Sequence, residues 1–426
     1  MKDTKLAING GIPEIKSEFK RYNPLGVEEA KAVSKVMDSG VLSDFYGTKG
    51  DYFLGGKNVK KFEEKICSFY KVKYAVTFNS WTSGLIAAVG SLDLSPGDEV
   101  IVPTWTMCAT ATAVLHWNCI PVFADIDKNT FNIDPNSIKK NITKKTKAVI
   151  AVDIFGLPAD IKEIKKICRE YNLKLINDSA QSPTSMINNN YVGTESDIGG
   201  FSLNYHKHFH TGEGGILITN DNSLYGRACL IRNHGEACID ADKNLANILG
   251  FNFRMGEIEA AIGIEQLKKI SNLVEIKVKL ANHLINGLSN LDGLKTPIIP
   301  KDYTHSFYVV PLVLDIKKLN VKREYIVNAL LAEGVPVCAG YQNIHLLPLY
   351  QKKIAYGKDG FPWTYKDSRK DISYEKGICP NAEDLHDETF LFIPICSYEL
   401  DKKDIIKIIE AFKKVWQNLS FLQTGL

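Results

Sequence analysis

The sequence predicts an α/β fold with a mostly parallel central sheet and a smaller C-terminal α+β part. From residue 74 to about residue 220, short β-rich apolar segments alternate with segments of helical length. Beyond about residue 275 this alternation stops. A chain of 426 residues is also long for one compact domain. We therefore expect a large sheet domain followed by a second, smaller domain.

Seven strands and three helices are predicted in the alternating region. The strands are Tyr74–Phe78, Glu99–Pro103, Ile120–Asp125, Lys147–Phe155, Lys174–Ser179, Ile198–Leu203 and Gly215–Asn220. The helices are Thr82–Ser91, Cys108–Trp117 and Asp160–Tyr171. In open sheets of this kind ligands gather at the carboxyl ends of the strands. Polar residues just beyond those ends are therefore the first candidates for a site.

Beyond residue 252 the sequence predicts mostly helices. An amphipathic helix is predicted within residues 252–275, and a helix-like stretch continues to Leu291. Strands near Ser306–Leu314, a helix at Arg323–Glu333, irregular sequence through Pro380 and a final helix at Asp404–Leu419 follow. We expect an N-terminal arm at 1–20, a large domain at 21–275 and a small domain at 276–426. A cleft between the two domains is the expected site.

Composition narrows the classes of function. Fifty-two Lys and Arg against 49 Asp and Glu give a net charge of +3 without a long basic stripe, which argues against nucleic-acid binding. No apolar run resembles a signal peptide or is long enough to cross a membrane, so we expect a cytoplasmic protein. Nine cysteines without a CxxC pair suggest reduced thiols, with neither a disulfide framework nor a zinc site. A small-molecule partner fits best.

Lys207 lies between a predicted apolar strand and the Gly-rich turn Thr211–Gly215. An amine can condense with a carbonyl cofactor only in its neutral form, so such a lysine needs a lowered pKa. Most of the 52 basic residues are expected to be solvated surface groups. The position of Lys207 is what makes it a candidate for Schiff-base chemistry.

Asp178 lies at the end of the predicted strand Lys174–Ser179, and Gln181 comes three residues later. A carboxylate leaving a buried strand needs a cation or several donors, and a protonated pyridine nitrogen would serve. Gln181 could then hydrogen-bond a ring substituent. An Asp178 that merely caps the next turn is an equally good interpretation.

An anion cradle is predicted where the first strand runs into a helix. Ser80, Thr82 and Ser83 place hydroxyls and free backbone N–H groups at that helix start, where the helix dipole favours a phosphate. A simple N-cap by Ser80 or Thr82 explains the same residues. Taken alone, the cap is the better interpretation.

Several other side chains have a structural interpretation beside a functional one. His206, His208 and His210 could share a strand face and bind a metal, but packing around a cofactor is preferred and no metal site is expected. Arg232 and Arg254 could bind a carboxylate or a diphosphate, or form salt bridges. The loop at 356–363 could cover a sugar ring, although simple loop packing is favoured.

An ordered set of motifs resembles the DegT/DnrJ/EryC1/StrS family of pyridoxal-phosphate (PLP) sugar aminotransferases, which have the aspartate aminotransferase-like fold, type I. The similarity extends from Leu6–Gly11 to Cys379–Glu383 and covers nearly the whole chain. Each motif alone is weak evidence for the family, whereas their order along the chain is specific to it. The motifs are Gly97–Pro103, Ala109–Thr112, Pro121–Asp127, Asp178–Gln181, Lys207, Thr211–Gly215, Arg232–Gly235 and Asn252–Met255.

The resemblance implies a role for each site residue. Lys207 would form the Schiff base with PLP and move protons, Asp178 would pair with the ring nitrogen, and Gln181 would lie near the ring hydroxyl. Asn252 would reach the phosphate in the neighbouring subunit of a homodimer with shared active sites. The residues expected to bind the cofactor, as PLP or pyridoxamine phosphate, are Thr82, Ser83, Met107, Asp178, Gln181, Ser202, Lys207 and Asn252.

Three departures from the family pattern stand out. Trp81 occupies the phosphate turn where the family usually has Gly. Met107 occupies the position of a ring that often stacks on the cofactor, with Trp105 two residues before it. Which of these two side chains covers the cofactor is left open. The histidines around Lys207 are also unusual.

The resemblance implies amino transfer from L-glutamate or L-glutamine to a keto sugar, which is expected to be linked to a nucleotide, in amino-sugar biosynthesis. Alternatives are a cyclitol ketone, suggested by the Leu6–Gly11 start together with glutamine as donor, and a nucleotide-sugar 3-dehydratase. Related dehydratases carry histidine in place of the lysine, so Lys207 favours transamination. A catalytically silent sugar-nucleotide-binding protein would have lost Lys207 or Asp178. An NAD-dependent oxidoreductase lacks support, because no GxGxxG follows the first strand.

Overall fold

The computed structural model describes residues 5–237 and 249–422. Thirteen strands and fourteen α-helices are numbered here in chain order within those ranges. The strands are β1 Tyr74–Phe78, β2 Glu99–Pro103, β3 Ile120–Ala124, β4 Thr146–Val152, β5 Lys174–Asp178, β6 Met186–Ile187, β7 Asn190–Tyr191, β8 Ile198–Ser202, β9 Gly215–Thr219, β10 Leu294–Lys295, β11 Val310–Leu314, β12 Cys338–Ala339 and β13 Phe390–Ile393.

The helices alternate with the strands of the first part and dominate the second. They are α1 Val27–Ser39, α2 Lys57–Tyr70, α3 Trp81–Gly90, α4 Ala109–His116, α5 Pro135–Asn141, α6 Ile161–Glu170, α7 Asn222–Arg232, α8 Glu257–Leu288, α9 Ile316–Leu319, α10 Arg323–Ala332, α11 Pro348–Gln351, α12 Pro380–Asp384, α13 Lys402–Gln417 and α14 Leu419–Leu422. Short 3-10 turns lie at Ala7–Asn9, Ile154–Gly156, Ile344–Leu346 and Ile395–Ser397, and a π-turn at Leu385–Thr389. No helix in the described ranges has the length and apolar character that crossing a membrane requires.

A seven-stranded sheet forms the centre of the large part, in the order β1-β9-β8-β5-β4-β2-β3. Strands β8, β5, β4, β2 and β3 are parallel to one another, and β9 runs antiparallel to both β1 and β8. The predicted mostly parallel sheet is confirmed, and all seven predicted strands occur within a few residues of their expected ends. The largest difference is β4, which ends at Val152 because Phe155 adopts a left-handed conformation with φ 59° in the following 3-10 turn.

The C-terminal part is built on a smaller antiparallel sheet in the order β10-β11-β13-β12. Strand β13 was not predicted from the sequence, and neither were the N-terminal helices α1 and α2. A core formed by residues such as Leu284, Leu312 and Phe412 lies under this sheet. The predicted smaller C-terminal α+β part is therefore present.

Helix α8 is a single helix of 32 residues where the sequence suggested two segments. Its first half packs with Phe62 and Phe201 beside the large sheet, and its second half packs with Phe412 in the C-terminal core. The domain boundary expected at 275–276 lies inside this helix. The division into arm, large domain and small domain stays a prediction.

Candidate active site

Lys207 lies in the loop that connects β8 to β9. Backbone hydrogen bonds from Leu203 N to Gly214 O (2.9 Å) and from Thr211 N to Leu203 O (3.1 Å) close the base of this loop. The lysine is only 7% exposed, and its Nζ lies 4.3 Å from the ring centroid of Tyr308. Among the described residues the amine has no hydrogen-bond partner. Burial lowers its pKa to about 8, although Asp178 acts in the opposite direction.

Asp178 ends β5 and is buried. Its Oδ1 accepts hydrogen bonds from Trp81 Nε1 (2.7 Å) and from the backbone N–H of Ala180 (3.1 Å), and its Oδ2 accepts one from Thr110 Oγ1 (3.4 Å). Burial raises the pKa of the carboxyl group, and the Trp81 hydrogen bond is the strongest influence that lowers it. The carboxylate is thus shielded from solvent, and its Oδ2 can still accept a further hydrogen bond.

The parallel pairing of β5 with β8 brings Lys207 and Asp178 to the same edge of the sheet. Asp178 pairs with Gly200, and β8 ends two residues later at Ser202. The loop that carries Lys207 therefore leaves the sheet at the carboxyl end where Asp178 emerges. This is the edge at which α/β sheets bind ligands.

The expected phosphate-binding residues surround the N-terminus of α3. Ser80 caps this helix, because its Oγ accepts from Ser83 N at 3.1 Å and lies 3.0 Å from Ser83 Oγ. Thr82 is exposed in the first turn. Ser202 and Phe78 both pair with Gly215, so Ser202 lies near this helix start. The cap and an anion site are compatible, since amides of the first turn remain outside the helical pattern.

Gln181 is held by two neighbours. Its Oε1 accepts from the backbone N–H of Phe155 at 2.7 Å, and its Nε2 donates to Tyr341 Oη at 3.4 Å. The side chain is 5% exposed. Gln181 therefore lies in a fixed orientation one turn beyond Asp178.

Trp105 and Met107 differ sharply in exposure. Trp105 is fully buried among aromatic rings, with centroids 4.8 Å from Phe390 and 5.7 Å from Tyr341. Met107 is 57% exposed just before α4. Because Trp105 is enclosed by its neighbours, Met107 is the better placed of the two to contact a cofactor.

Asn252 is exposed and forms a β-bridge with Asn233. The next residue, Phe253, accepts a hydrogen bond from Asn79 N at 2.9 Å, which places this segment beside the end of β1. Contact of Asn252 with a neighbouring subunit's phosphate stays a prediction.

The three histidines around Lys207 do not share a strand face, because residues 203–214 form turns rather than a strand. His208 Nε2 donates to Ser306 O (2.9 Å), and His210 Nδ1 accepts from Gly212 N (3.2 Å). Burial lowers the pKa of His206 to about 4 and that of His208 to about 3, so both are neutral near pH 7. Within 5–237 and 249–422 no cluster of three or more metal-binding side chains occurs.

The two candidate arginines occupy different environments. Arg232 is fully buried and forms a 2.6 Å salt bridge with Glu63, so its guanidinium has a structural role in the core. Arg254 is partly buried and donates to Asn233 Oδ1 at 2.9 and 2.6 Å. In the loop at 356–363, Trp363 is buried and donates to Tyr374 Oη at 2.9 Å, which agrees with loop packing.

The sequence did not predict four residues that contact this site. Trp81 was noted only as a departure from a pattern, although its indole reaches Asp178. Thr110 donates to the same carboxylate from α4. Tyr308 and Tyr341 belong to the C-terminal part, and their local sequence contains no motif that indicates a functional site. Only the assembled fold brings these four residues to Lys207, Asp178 and Gln181.

Residues 28–374 match the model of the DegT/DnrJ/EryC1/StrS aminotransferase family. The chain belongs to that family. A GDP-perosamine synthase from Escherichia coli O157:H7 is 32% identical over 78% of this chain and 87% of its own. A putative L-glutamine:3-amino-2,3-dideoxy-scyllo-inosose aminotransferase from Streptoalloteichus tenebrarius is 27% identical over 99% of this chain and 100% of its own.

Solved structures agree with this assignment. The aminotransferase from Psychrobacter cryohalolentis has a TM-score of 0.80 and 27% identity, and the match covers 94% of this chain and 100% of that one. Enzymes of the DegT/DnrJ/EryC1/StrS family depend on PLP, and the present chain is a PLP-dependent sugar aminotransferase.

The side chains of this aminotransferase fit PLP. Lys207 offers a buried amine without a hydrogen-bond partner in the described ranges, next to a carboxylate that can accept from a protonated ring nitrogen. The start of α3 offers backbone amides and hydroxyls for a phosphate. A cationic ring, an aldehyde and a phosphate thus each have a complementary group.

Proposed function

We propose that this aminotransferase moves the amino group of L-glutamate or L-glutamine to the ketone of a nucleotide-linked sugar. The product would be an amino sugar destined for a surface polysaccharide or a natural product. The observation that carries the proposal is the buried amine of Lys207 beside the buried carboxylate of Asp178. The similarity to GDP-perosamine synthases supports a nucleotide-linked acceptor.

The proposed chemistry divides between two side chains. When bound, PLP supplies an aldehyde that joins to amines and a ring that stabilises negative charge on the adjacent carbon. Lys207 would bind that aldehyde through Nζ and, when released, would take the proton from the donor's α-carbon. Asp178 would keep the ring nitrogen protonated through a charge-assisted hydrogen bond.

The remaining site residues would position the cofactor. Amides and hydroxyls at Thr82 and Ser83, together with Ser202, would bind the phosphate, and Asn252 would reach it from the neighbouring subunit of a homodimer. Gln181 would face the ring hydroxyl. Met107 would cover the ring, because Trp105 is enclosed in the aromatic core.

A cyclitol ketone is the second candidate acceptor. The chain matches the putative 3-amino-2,3-dideoxy-scyllo-inosose aminotransferase from Streptoalloteichus tenebrarius over 99% of its length, and an enzyme of the same name from Micromonospora echinospora matches it to the same extent. Those relatives are named as L-glutamine-dependent. L-glutamine as donor and a cyclitol as acceptor would therefore go together.

The pyridoxamine-phosphate form of the protein tests the acceptor directly. It is incubated with nucleotide-linked 3-keto and 4-keto hexoses and with a cyclitol ketone, while the visible absorbance of PLP is followed. We expect a nucleotide-linked keto sugar to restore this absorbance. Return with the cyclitol alone would favour the second candidate, and return with none of these ketones would contradict both. In the other half-reaction, the PLP form of the protein is mixed with L-glutamate or with L-glutamine. The amino acid that causes the loss of PLP absorbance is the donor.

A further inference from the structure

Trp81 is the first residue of α3, and its indole packs against the central sheet beside Asp178. Its indole is 5% exposed and lies over Gly200, the residue that pairs with Asp178 in the neighbouring strand. A Cβ atom at Gly200 or at Gly84 would overlap this ring. Two glycines therefore leave the space that one indole fills.

The hydrogen bonds of Asp178 are distributed unevenly between its two oxygens. Oδ1 accepts from Trp81 Nε1 at 2.7 Å and from Ala180 N at 3.1 Å, which uses both of its lone pairs. From the described residues, Oδ2 accepts one hydrogen bond, the 3.4 Å bond from Thr110 Oγ1. A buried carboxylate oxygen with a single long hydrogen bond can accept a further donor. Oδ2 is thus the oxygen available to a ligand.

We propose that Trp81 is a positioning residue that fixes the Asp178 carboxylate so that Oδ2 faces the ring nitrogen of PLP. The proposal rests on the proposed role of Asp178. It explains why a large aromatic residue stands at the start of α3, where the phosphate is expected to bind. The indole would fill the space beneath the cofactor and anchor the carboxylate at the same time.

The charge state of Asp178 supports this role. Burial raises the pKa of the carboxyl group, and the Trp81 hydrogen bond is the leading influence in the other direction. Only the ionised carboxylate can hold a proton on a pyridine nitrogen by charge-assisted hydrogen bonding. Removing the indole N–H would therefore weaken both the orientation and the ionisation of Asp178.

The substitution Trp81→Phe removes the N–H donor and keeps an aromatic ring in the slot. We expect the dissociation constant for PLP to rise roughly tenfold, as for loss of one hydrogen bond to a charged group. We also expect kcat to fall while KM for the amino donor changes little, and the acid limb of the kcat profile to move to higher pH. Unchanged PLP affinity and an unchanged pH profile would overturn the proposal and leave Trp81 as a space-filling residue.

Trp117→Phe is the matched control. Trp117 is also buried, and its Nε1 donates a hydrogen bond of the same length, 2.7 Å, to Ile86 O, away from Asp178. We expect this variant to bind PLP like the wild type. An equal loss of affinity in both variants would show a general packing effect and would contradict a specific role for Trp81.

A double-mutant cycle separates this proposal from the assignment of Asp178. If Trp81 acts through Asp178, Trp81→Phe has no further effect on PLP affinity in an Asp178→Ala background, which leaves no side-chain oxygen for the indole to donate to. Additive effects would overturn the proposal. Wild-type affinity and activity in Asp178→Ala alone would instead refute the role of Asp178. Should Trp81→Phe fail to fold, replacing Trp81 by β-(3-benzothienyl)alanine keeps the bicyclic shape without the N–H and gives the same readouts.

Discussion

In the proposed function Lys207 is the residue on which the chemistry depends, and its burial lowers the pKa of its amine. A lysine in water has a pKa of about 10.4 and is almost entirely protonated at neutral pH. In this structure burial lowers the pKa to about 8, so an appreciable fraction of the amine is neutral and nucleophilic near physiological pH. The same burial raises the pKa of Asp178, and the two groups stabilise each other's charged forms.

The pH dependence of PLP uptake follows from this shift. Below pH 8 the ammonium form of Lys207 dominates, so the uptake rate should rise about tenfold per pH unit and level off near pH 8. Stopped-flow absorbance of the apoprotein mixed with PLP measures this rate. A rate that keeps rising toward pH 10 would mean that the reacting lysine is solvated. Lys207→Arg serves as the control, and it should show no covalent uptake at any pH.

At the scale of helices and strands, a buried ion pair anchors β1 to its neighbours. Glu63 of α2 accepts from Arg232 of α7 (2.6 Å) and from the backbone N–H (2.8 Å) and hydroxyl (2.9 Å) of Thr77 in β1. This network fixes β1 just before the turn into α3. The start of α3, where the phosphate is expected, is thereby held in place from the core.

Removing one partner of this pair should destabilise the protein strongly. In Arg232→Met the carboxylate of Glu63 stays buried without its cation, and we expect a loss of about 3–5 kcal/mol in the free energy of unfolding. Urea-induced unfolding followed by circular dichroism measures the change. The exposed pair Lys279–Glu275 provides the comparison, and Lys279→Met should change stability far less. A similar small effect in Arg232→Met would contradict an anchoring role.

The central strands were predictable from sequence, because continuous apolar runs are local signals. The location of Asp178 at the end of β5 and of Lys207 after β8 was predictable for the same reason, whereas their roles stay a prediction. The length of α8 was not predictable, because the alternation of strands and helices ends near residue 275 and this change indicates a domain boundary there. Residues 264–286 contain neither Gly nor Pro, and the helix continues through them. The contact of Trp81 with Asp178 could not be predicted either, because it depends on the pairing of β5 with β8 and on one side-chain rotamer.

At the scale of the whole molecule, the family resemblance implies a homodimer whose active sites are shared. Asn252 is exposed beside the end of β1, in a position compatible with contact to another copy. The C-terminal part also contributes to the site of its own chain, since Tyr308 lies under Lys207 and Tyr341 contacts Gln181. The site would therefore combine the sheet, the C-terminal part and a neighbouring subunit.

Mixed dimers test the shared site. Lys207→Ala and Asn252→Ala are each expected to be nearly inactive alone, but a mixed dimer would contain one site with both residues intact. Random pairing of equal amounts should restore about a quarter of wild-type activity. Co-expression with two affinity tags isolates the mixed dimer for assay. If Asn252 acts within its own chain, the mixed dimer will stay inactive.

The central claim, that Lys207 carries the cofactor, is tested most directly by chemical fixation. The PLP-bound protein is reduced with borohydride and digested, and the modified peptide is identified by mass spectrometry. The account predicts a single reduced cofactor adduct on Lys207, and its absence from Lys207→Ala. An adduct on another lysine, or none in a protein that catalyses transamination, would contradict it.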